Sequence, residues 1–92
     1  MIKSFRSKDL KQLFETGKSA KVPANLRDRI VRILDRLDEA ENLNDLAVPS
    51  YGTHPLRGSK PQRYAMSVNG PWRITFQFDK GEALLVDLEQ YH

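Results

Sequence analysis

The last third of the sequence changes its apolar pattern to a period of two. Between residues 64 and 88, three short runs alternate apolar and polar side chains. Such alternation puts the apolar side chains of a strand on one face. Turn-forming residues separate the runs, at Asn69-Gly70-Pro71 and at Asp79-Lys80-Gly81. The pattern therefore predicts three antiparallel strands, at 64–68, 72–78 and 84–88, whose apolar face must be covered by other elements.

The apolar positions also predict a register for these strands. A slip of one residue would turn Arg73 into the core, so loops with an odd number of residues are expected. Gly81 suits the last position of a three-residue loop, whereas the fixed negative φ of Pro71 predicts a longer loop in the first hairpin. The expected pairs are Tyr64–Phe76, Met66–Ile74 and Val68–Trp72, followed by Trp72–Leu88, Ile74–Val86 and Phe76–Leu84.

Two helices are predicted before the strands. Ser7 is a favourable N-cap and Gly17 a favourable C-cap, which bounds a short amphipathic helix that ends near Thr16. Pro23 suits the first turn of a second helix. Residues 2–5 are consistent with a short strand, and residues 42–51 with a loop that contains one turn. The apolar stripe of the second helix is Leu26, Ile30, Ile33, Leu34 and Leu37.

The chain of 92 residues is long enough for a single domain, residues 1–92, with one core. It contains no cysteine, which excludes disulfides and thiolate metal sites. The N-terminus has no signal-peptide pattern and no apolar run reaches membrane-spanning length, so a cytoplasmic protein without membrane contact is expected. The fold class predicted is α+β, with N-terminal helices packed on one face of a small antiparallel sheet.

Charge is distributed unevenly along the chain. Residues 1–21 hold six Lys or Arg against two acids, and residues 51–73 hold four against none. A basic stretch without counter-charges has a positive field that attracts phosphate. A solvated surface is the simpler explanation of either block alone, but two blocks in one small domain favour an anionic partner.

The basic stretch also contains groups that suit cleavage of an RNA phosphodiester. That reaction needs a base, an acid and cations that stabilise the extra charge on phosphorus. Histidine is the side chain best suited to transfer protons near neutral pH, and the sequence has two, His54 and His92. Arg73 is expected near the centre of the sheet, where its planar guanidinium could bind phosphate. Pairing of Arg73 with Asp87 or Glu89 on a neighbouring strand is an alternative explanation. No glycine-rich phosphate loop, histidine pair at ligand spacing or serine elbow is present.

Several segments together resemble the HigB branch of the RelE/ParE toxin superfamily. They are Met1-Ile2-Lys3-Ser4-Phe5, Leu13-Phe14-Glu15-Thr16-Gly17, His54-Pro55-Leu56-Arg57-Gly58, the run from Tyr64 to Phe76, and Tyr91-His92. The resemblance implies a RelE-like fold and the toxin of a type II toxin–antitoxin pair. It implies a ribosome-dependent mRNA endonuclease that cuts in the A site without a metal or other cofactor. The implied partners are the ribosome and mRNA, a helix-turn-helix antitoxin of HigA type, and operator DNA only through the antitoxin complex.

By position, the resemblance implies a functional set of His54, Arg57, Arg73, Tyr91 and His92. Arg57 and Arg73 would stabilise phosphate charge, Tyr91 would stack on or orient a base, and the histidines would transfer protons. Two differences from the family pattern predict slower cleavage: Arg57 stands where Lys is frequent, and Gln90 where the family commonly has Asp. Further RNA contacts are expected from Lys60, Arg63, Lys8 and Lys11.

Two other functions remain open from the sequence. One is a ParE-like gyrase inhibitor on the same fold, against which the terminal Tyr91-His92 weighs, because inhibition by binding needs no general acid. The other is a catalytically weakened protein that binds the ribosome or RNA, which the residues Arg57 and Gln90 would explain.

Overall fold

The computed structural model describes residues 1–91 and has the predicted α+β architecture. Two helices pack on one face of a four-stranded antiparallel sheet with strand order β1-β2-β3-β4. The helices are α1 (Lys8–Thr16) and α2 (Arg27–Glu39), the strands are β1 (His54–Leu56), β2 (Arg63–Asn69), β3 (Trp72–Asp79) and β4 (Glu82–Gln90), and 3₁₀ turns span Ala24–Leu26, Leu43–Leu46 and Pro49–Tyr51.

The predicted helix ends are confirmed. Ser7 Oγ accepts a hydrogen bond from the backbone N–H of Leu10 at 3.1 Å, which caps α1. Gly17 follows Thr16 with φ of +77°, the left-handed conformation that glycine adopts without a Cβ clash. Pro23 precedes the 3₁₀ turn that leads into α2.

The core lies between α2 and the sheet. All five residues of the apolar stripe on the second helix are buried. They pack in one cluster with the sheet residues Met66, Ile74, Phe76 and Val86, which are fully buried. One face of the sheet is therefore covered by the helices, and the polar residues of the strands point to the other face.

Both edges of the sheet extend beyond the three predicted strands. On one side, β1 pairs with β2 and brings His54 opposite Ala65. On the other, the N-terminal segment runs parallel to β4, with isolated bridges from Ile2 to Ala83 and from Phe5 to Val86. The strand expected at residues 2–5 is thus reduced to two bridges, and β1 was missed because three residues with a proline carry no alternating pattern.

The register is confirmed in one part of the sheet and wrong in another. In the first hairpin Tyr64 pairs with Phe76 and Met66 with Ile74 as predicted, but Asn69, not Val68, pairs with Trp72. In the second hairpin the predicted pairs are wrong. The pairs observed there include Trp72–Gln90, Ile74–Leu88 and Gln77–Leu84.

The error in register comes from the turns. Asp79 pairs with Glu82, so the loop contains only Lys80 and Gly81, with φ of +51° and +79°. Positive φ at both positions is typical of the two-residue type I′ turn. The first hairpin also has a two-residue loop, Gly70-Pro71, with φ of +56° at Gly70. Odd loops were unnecessary because a bulge in each hairpin adds the extra residue that keeps the apolar side chains on the core face.

No helix within residues 1–91 is long and apolar enough to cross a membrane.

Candidate active site on the sheet face away from the helices

The sheet face away from the helices carries a compact polar cluster. Ser67, Arg73 and Glu89 are cross-strand partners in one row, and Ala65, Thr75 and Asp87 form the next. Directly paired residues point to the same side of an antiparallel sheet. Although this face has no helix over it, Ala65 and Thr75 are fully buried.

Arg63 crosses this face under the other side chains and is 9% exposed. Its Nη2 donates to Thr75 Oγ1 at 3.0 Å and to the backbone oxygen of Leu85 at 3.0 Å. Leu85 lies in the bulge of β4 and has φ of +50°, which is unfavourable for a leucine. The bulge therefore directs a backbone carbonyl to the arginine that the sheet has buried.

Thr75 connects Arg63 to a carboxylate. Its hydroxyl accepts from Arg63 and donates its single hydrogen to Glu89 Oε2. Because an arginine can only donate, the direction of the threonine hydroxyl is fixed. The three side chains form one hydrogen-bonded chain across β2, β3 and β4.

Burial lowers the pKa of Arg63, and the like charge of Arg6 lowers it further. The carboxylates of Glu89 and Asp87 act in the opposite direction. A guanidinium keeps its proton at any physiological pH, so the site retains this buried positive charge. Arg63 Nη1 is buried and has no hydrogen-bond partner within residues 1–91.

Arg73 is directed toward the β2–β3 turn. Its Nη1 donates to the backbone oxygens of Gly70 at 2.6 Å and Trp72 at 2.9 Å. The Nε and Nη2 groups make no hydrogen bond to the described part of the chain, and they form the edge with which arginine binds a phosphate bidentately. Within residues 1–91, Lys3 and Glu82 form an ion pair within 4.0 Å, whereas Arg73 forms none. The alternative pairing of Arg73 with Asp87 or Glu89 is therefore not formed.

Tyr91 is held beside Arg73 by the same turn. Its backbone N–H donates to the oxygen of Pro71 at 2.8 Å, and its side chain is 37% exposed. Partial burial raises the pKa of the phenol, Glu89 raises it further, and Arg63 and Arg73 oppose the rise. The phenol therefore stays protonated at neutral pH, with an exposed ring that a base can stack on and a hydroxyl that can donate.

His54 shares the face but lies near its edge. Its pairing with Ala65, which pairs with Thr75, puts it two strands from Thr75, about 10 Å across the sheet. Its Nδ1 is 2.8 Å from the backbone oxygen of Gly52. A carbonyl oxygen can only accept, so this contact assigns the proton to Nδ1 and leaves Nε2 free for a substrate.

The model of a family described as HigB-like toxins, RelE-like toxins of the type II toxin–antitoxin system HigB, matches residues 3–92. This chain belongs to the HigB-like toxin family. A protein of Proteus vulgaris named Endoribonuclease HigB is 44% identical over 92 residues, which covers all of both chains. An uncharacterized protein of Haemophilus influenzae (strain ATCC 51907 / DSM 11121 / KW20 / Rd) is 29% identical over 92 residues, 96% of this chain and 91% of that protein.

These matches confirm the family resemblance inferred from the sequence and the RelE-like fold. A HigB-like toxin is the toxin component of a type II toxin–antitoxin system, which implies an antitoxin as its partner. Residues 1–91 contain no group of three or more His, Cys, Asp or Glu side chains that would hold a metal ion.

The site residues predicted for this HigB-like toxin are only partly brought together. Arg63, Arg73 and Tyr91 lie in one cluster, with His54 farther along the same face. Arg57 and Lys60 are exposed between β1 and β2, and Lys8 and Lys11 are exposed on α1. His92 lies outside the described residues.

The hydrogen-bonded or charged neighbours of Arg63 include Thr75, Glu89 and Arg6, which were not among the residues predicted for the site. Thr75 and Glu89 occupy polar positions in the strand alternation, which is the signal in the sequence that places them on this face. Arg6 reaches the cluster because its segment lies beside β4, where its backbone N–H donates to the oxygen of Val86 at 2.9 Å. No local pattern around Arg6 predicts that long-range neighbour.

Proposed function

We propose that this HigB-like toxin is an endoribonuclease that cuts mRNA in the ribosomal A site without a metal ion. The observation that carries the proposal is the free Nε–Nη2 edge of Arg73, which lies beside the Tyr91 ring on a face that also holds the buried charge of Arg63. The name of the Proteus vulgaris relative, Endoribonuclease HigB, supports the same activity.

In this proposal Arg73 binds the scissile phosphate. Two parallel hydrogen bonds from its free edge fix the phosphate and stabilise the charge that develops in the transition state. Nη1 is already bonded to two backbone carbonyls, so the guanidinium is oriented before RNA arrives. Preorganised donors of this kind lower the barrier because they need no rearrangement during the reaction.

The remaining roles go to Tyr91, to the two histidines and to exposed cations. The Tyr91 ring stacks on a base of the codon, and its protonated hydroxyl is able to donate. His54 offers Nε2 for proton transfer, and His92 is proposed to share that role. Arg57, Lys60, Lys8 and Lys11 are exposed cations that would contact RNA phosphates.

The proposed partners follow from this activity and from the family. The ribosome would present the codon, and its RNA would meet the basic segments 1–21 and 51–73. The antitoxin is proposed to be a helix-turn-helix protein of HigA type, with operator DNA bound only by the complex. We place the protein in the cytoplasm on the same grounds.

The test is to map RNA 5′ ends in a purified translation reaction, with and without ribosomes. We expect cuts within codons only when ribosomes are present. Arg73→Ala should lower the cleavage rate about 10²–10³-fold, as does loss of one donor to a developing oxyanion. Arg36→Ala, on the exposed face of α2, is the matched control and should cut normally.

Other results would contradict the proposal. Cleavage that proceeds equally without ribosomes would remove the A-site requirement. Intact mRNA together with growth arrest would favour a function by binding, either at gyrase or at the ribosome. Arg73→Ala with normal cleavage would leave the activity but overturn the role of Arg73.

A further inference from the structure

Glu89 is a carboxylate with one oxygen fixed and one oxygen free. Thr75 donates its hydrogen to Oε2, and Thr75 in turn accepts from the buried Arg63. Oε1 makes no hydrogen bond to any of residues 1–91. The chain of hydrogen bonds therefore holds the side chain in one position while an acceptor atom remains available.

The position of Glu89 relates it directly to the proposed phosphate site. It is the cross-strand partner of Arg73, so the two side chains leave the same face of the sheet side by side. Tyr91 follows two residues later, at the end of the same strand. The guanidinium of Arg73 turns toward the β2–β3 loop and the carboxylate of Glu89 toward Thr75, but both lie close enough to the Tyr91 phenol to affect its pKa. A substrate that spans this site would therefore come within reach of both.

A carboxylate repels phosphate, so its presence among the arginines of an RNA-binding site calls for an explanation. An ionised carboxylate accepts hydrogen bonds and cannot donate them. The group next to a bound phosphate that donates is the ribose 2′-hydroxyl, which is also what distinguishes RNA from DNA. The arginines bind a backbone that both nucleic acids share, whereas the acceptor oxygen of Glu89 suits the 2′-hydroxyl that only RNA carries.

We propose that Glu89 binds the 2′-hydroxyl of the nucleotide on the 5′ side of the cut and takes its proton. This inference rests on the endonuclease function proposed above. The proton moves from O2′ to Glu89 Oε1, and the electron pair freed on O2′ forms the bond to phosphorus. The P–O5′ bond breaks, its electron pair goes to O5′, and an acid of the site protonates that oxygen. The products are a 2′,3′-cyclic phosphate and a 5′-hydroxyl, with no other reactant.

The test measures single-turnover cleavage of a ribosome-bound mRNA over a range of toxin concentrations. In Glu89→Gln the amide oxygen can still accept from Thr75, so the side chain keeps its place but loses its basicity. We expect the maximal rate to fall about 10²–10⁴-fold, the usual contribution of a general base, while the half-saturating concentration stays unchanged. Glu15→Gln, an exposed acid on α1, is the matched control.

Three further variants distinguish a general base from a group that only supports the structure. Glu89→Asp keeps the carboxylate and should cut faster than Glu89→Gln at an equal folded fraction. Thr75→Ser keeps the hydroxyl and should cut normally, whereas Thr75→Val should lower the maximal rate. Melting curves give the folded fraction of each variant, so a loss of rate by unfolding is recognised.

The possible results distinguish failure of this inference from failure of the endonuclease function. If the wild-type toxin cuts and Glu89→Gln cuts at the same rate, Glu89 is not the base and the inference is overturned while the endonuclease function stands. The same holds if folded Glu89→Asp is no faster than Glu89→Gln. If the wild type fails to cut on any ribosome complex, the endonuclease function and this inference are both overturned.

Discussion

At the scale of the residue, the arginines of this toxin differ in what their charge is used for. Arg63 is 9% exposed and supplies hydrogen bonds to Thr75 and to the Leu85 carbonyl. Arg57 is exposed and makes no hydrogen bond within residues 1–91. The sequence grouped Arg63 with the RNA-binding cations, and burial shows that it also supports the sheet from within.

This difference predicts unequal effects on stability. Arg63→Ala removes the donor to the buried Thr75 hydroxyl and to the partly buried Leu85 carbonyl, and each lost hydrogen bond should cost about 0.5–1.5 kcal/mol. The free energy of unfolding should fall accordingly, as measured by urea denaturation. Arg57→Ala should change it by less than about 0.5 kcal/mol, as surface substitutions do. Equal effects of the two variants would mean that the bonds of Arg63 contribute nothing net.

At the scale of helices and strands, the features that the sequence predicts correctly are those that depend on nearby residues. The caps at Ser7 and Gly17 and the apolar stripe of α2 were correct because each depends on neighbours a few residues away. The register of β4 was wrong because a bulge at Leu85 has no local signal: nothing in the sequence around a leucine predicts a positive φ. The carbonyl that the bulge exposes accepts a hydrogen bond from Arg63, a partner more than twenty residues away in the sequence.

The same limit applies to the candidate site. The strand pattern predicted Arg73 near the centre of the sheet, and the resemblance implied Arg73 and Tyr91 as members of the site. The link from Arg63 through Thr75 to Glu89 joins three strands, and it depends on the register that the sequence did not give correctly. Arg63 was expected only as an RNA-binding cation, and Thr75 and Glu89 were recognisable only as polar residues in an apolar alternation.

The β3–β4 turn offers a prediction at this scale. Lys80 has φ of +51°, which costs a residue with a Cβ about 1–2 kcal/mol and costs asparagine less. Lys80→Asn should therefore raise the free energy of unfolding by about 0.5–1 kcal/mol, and Lys80→Val should lower it, since β-branched residues are least tolerant of positive φ. Thermal or urea unfolding measures both. Changes of the same sign in the two variants would be inconsistent with a type I′ turn.

At the scale of the whole molecule, positive charge is concentrated in two segments of the toxin, and acids balance it in the segment between them. The core face of the sheet is covered by α2. The segment 22–50, which contains α2, holds four Lys or Arg against six acids. The segments 1–21 and 51–73 carry the excess of positive charge and supply Arg6, Arg63 and Arg73 to the other face. The net charge of +3 therefore understates the field that an approaching nucleic acid meets.

The proposed binding to ribosomal RNA predicts how affinity depends on salt. Each phosphate contact releases a counterion, so losing one contact should lower the slope of log K against log salt by about 0.7–0.9. Lys11→Gln and Lys60→Gln remove exposed cations from the two basic segments, and each should reduce the slope by about that amount. Arg32→Gln removes an equal charge from the exposed face of α2, in a segment that acids balance, and should leave the slope unchanged. Binding of labelled toxin to ribosomes at several salt concentrations gives the three slopes. Equal slopes in all three variants would indicate that net charge alone, rather than the placement of these lysines, governs the interaction.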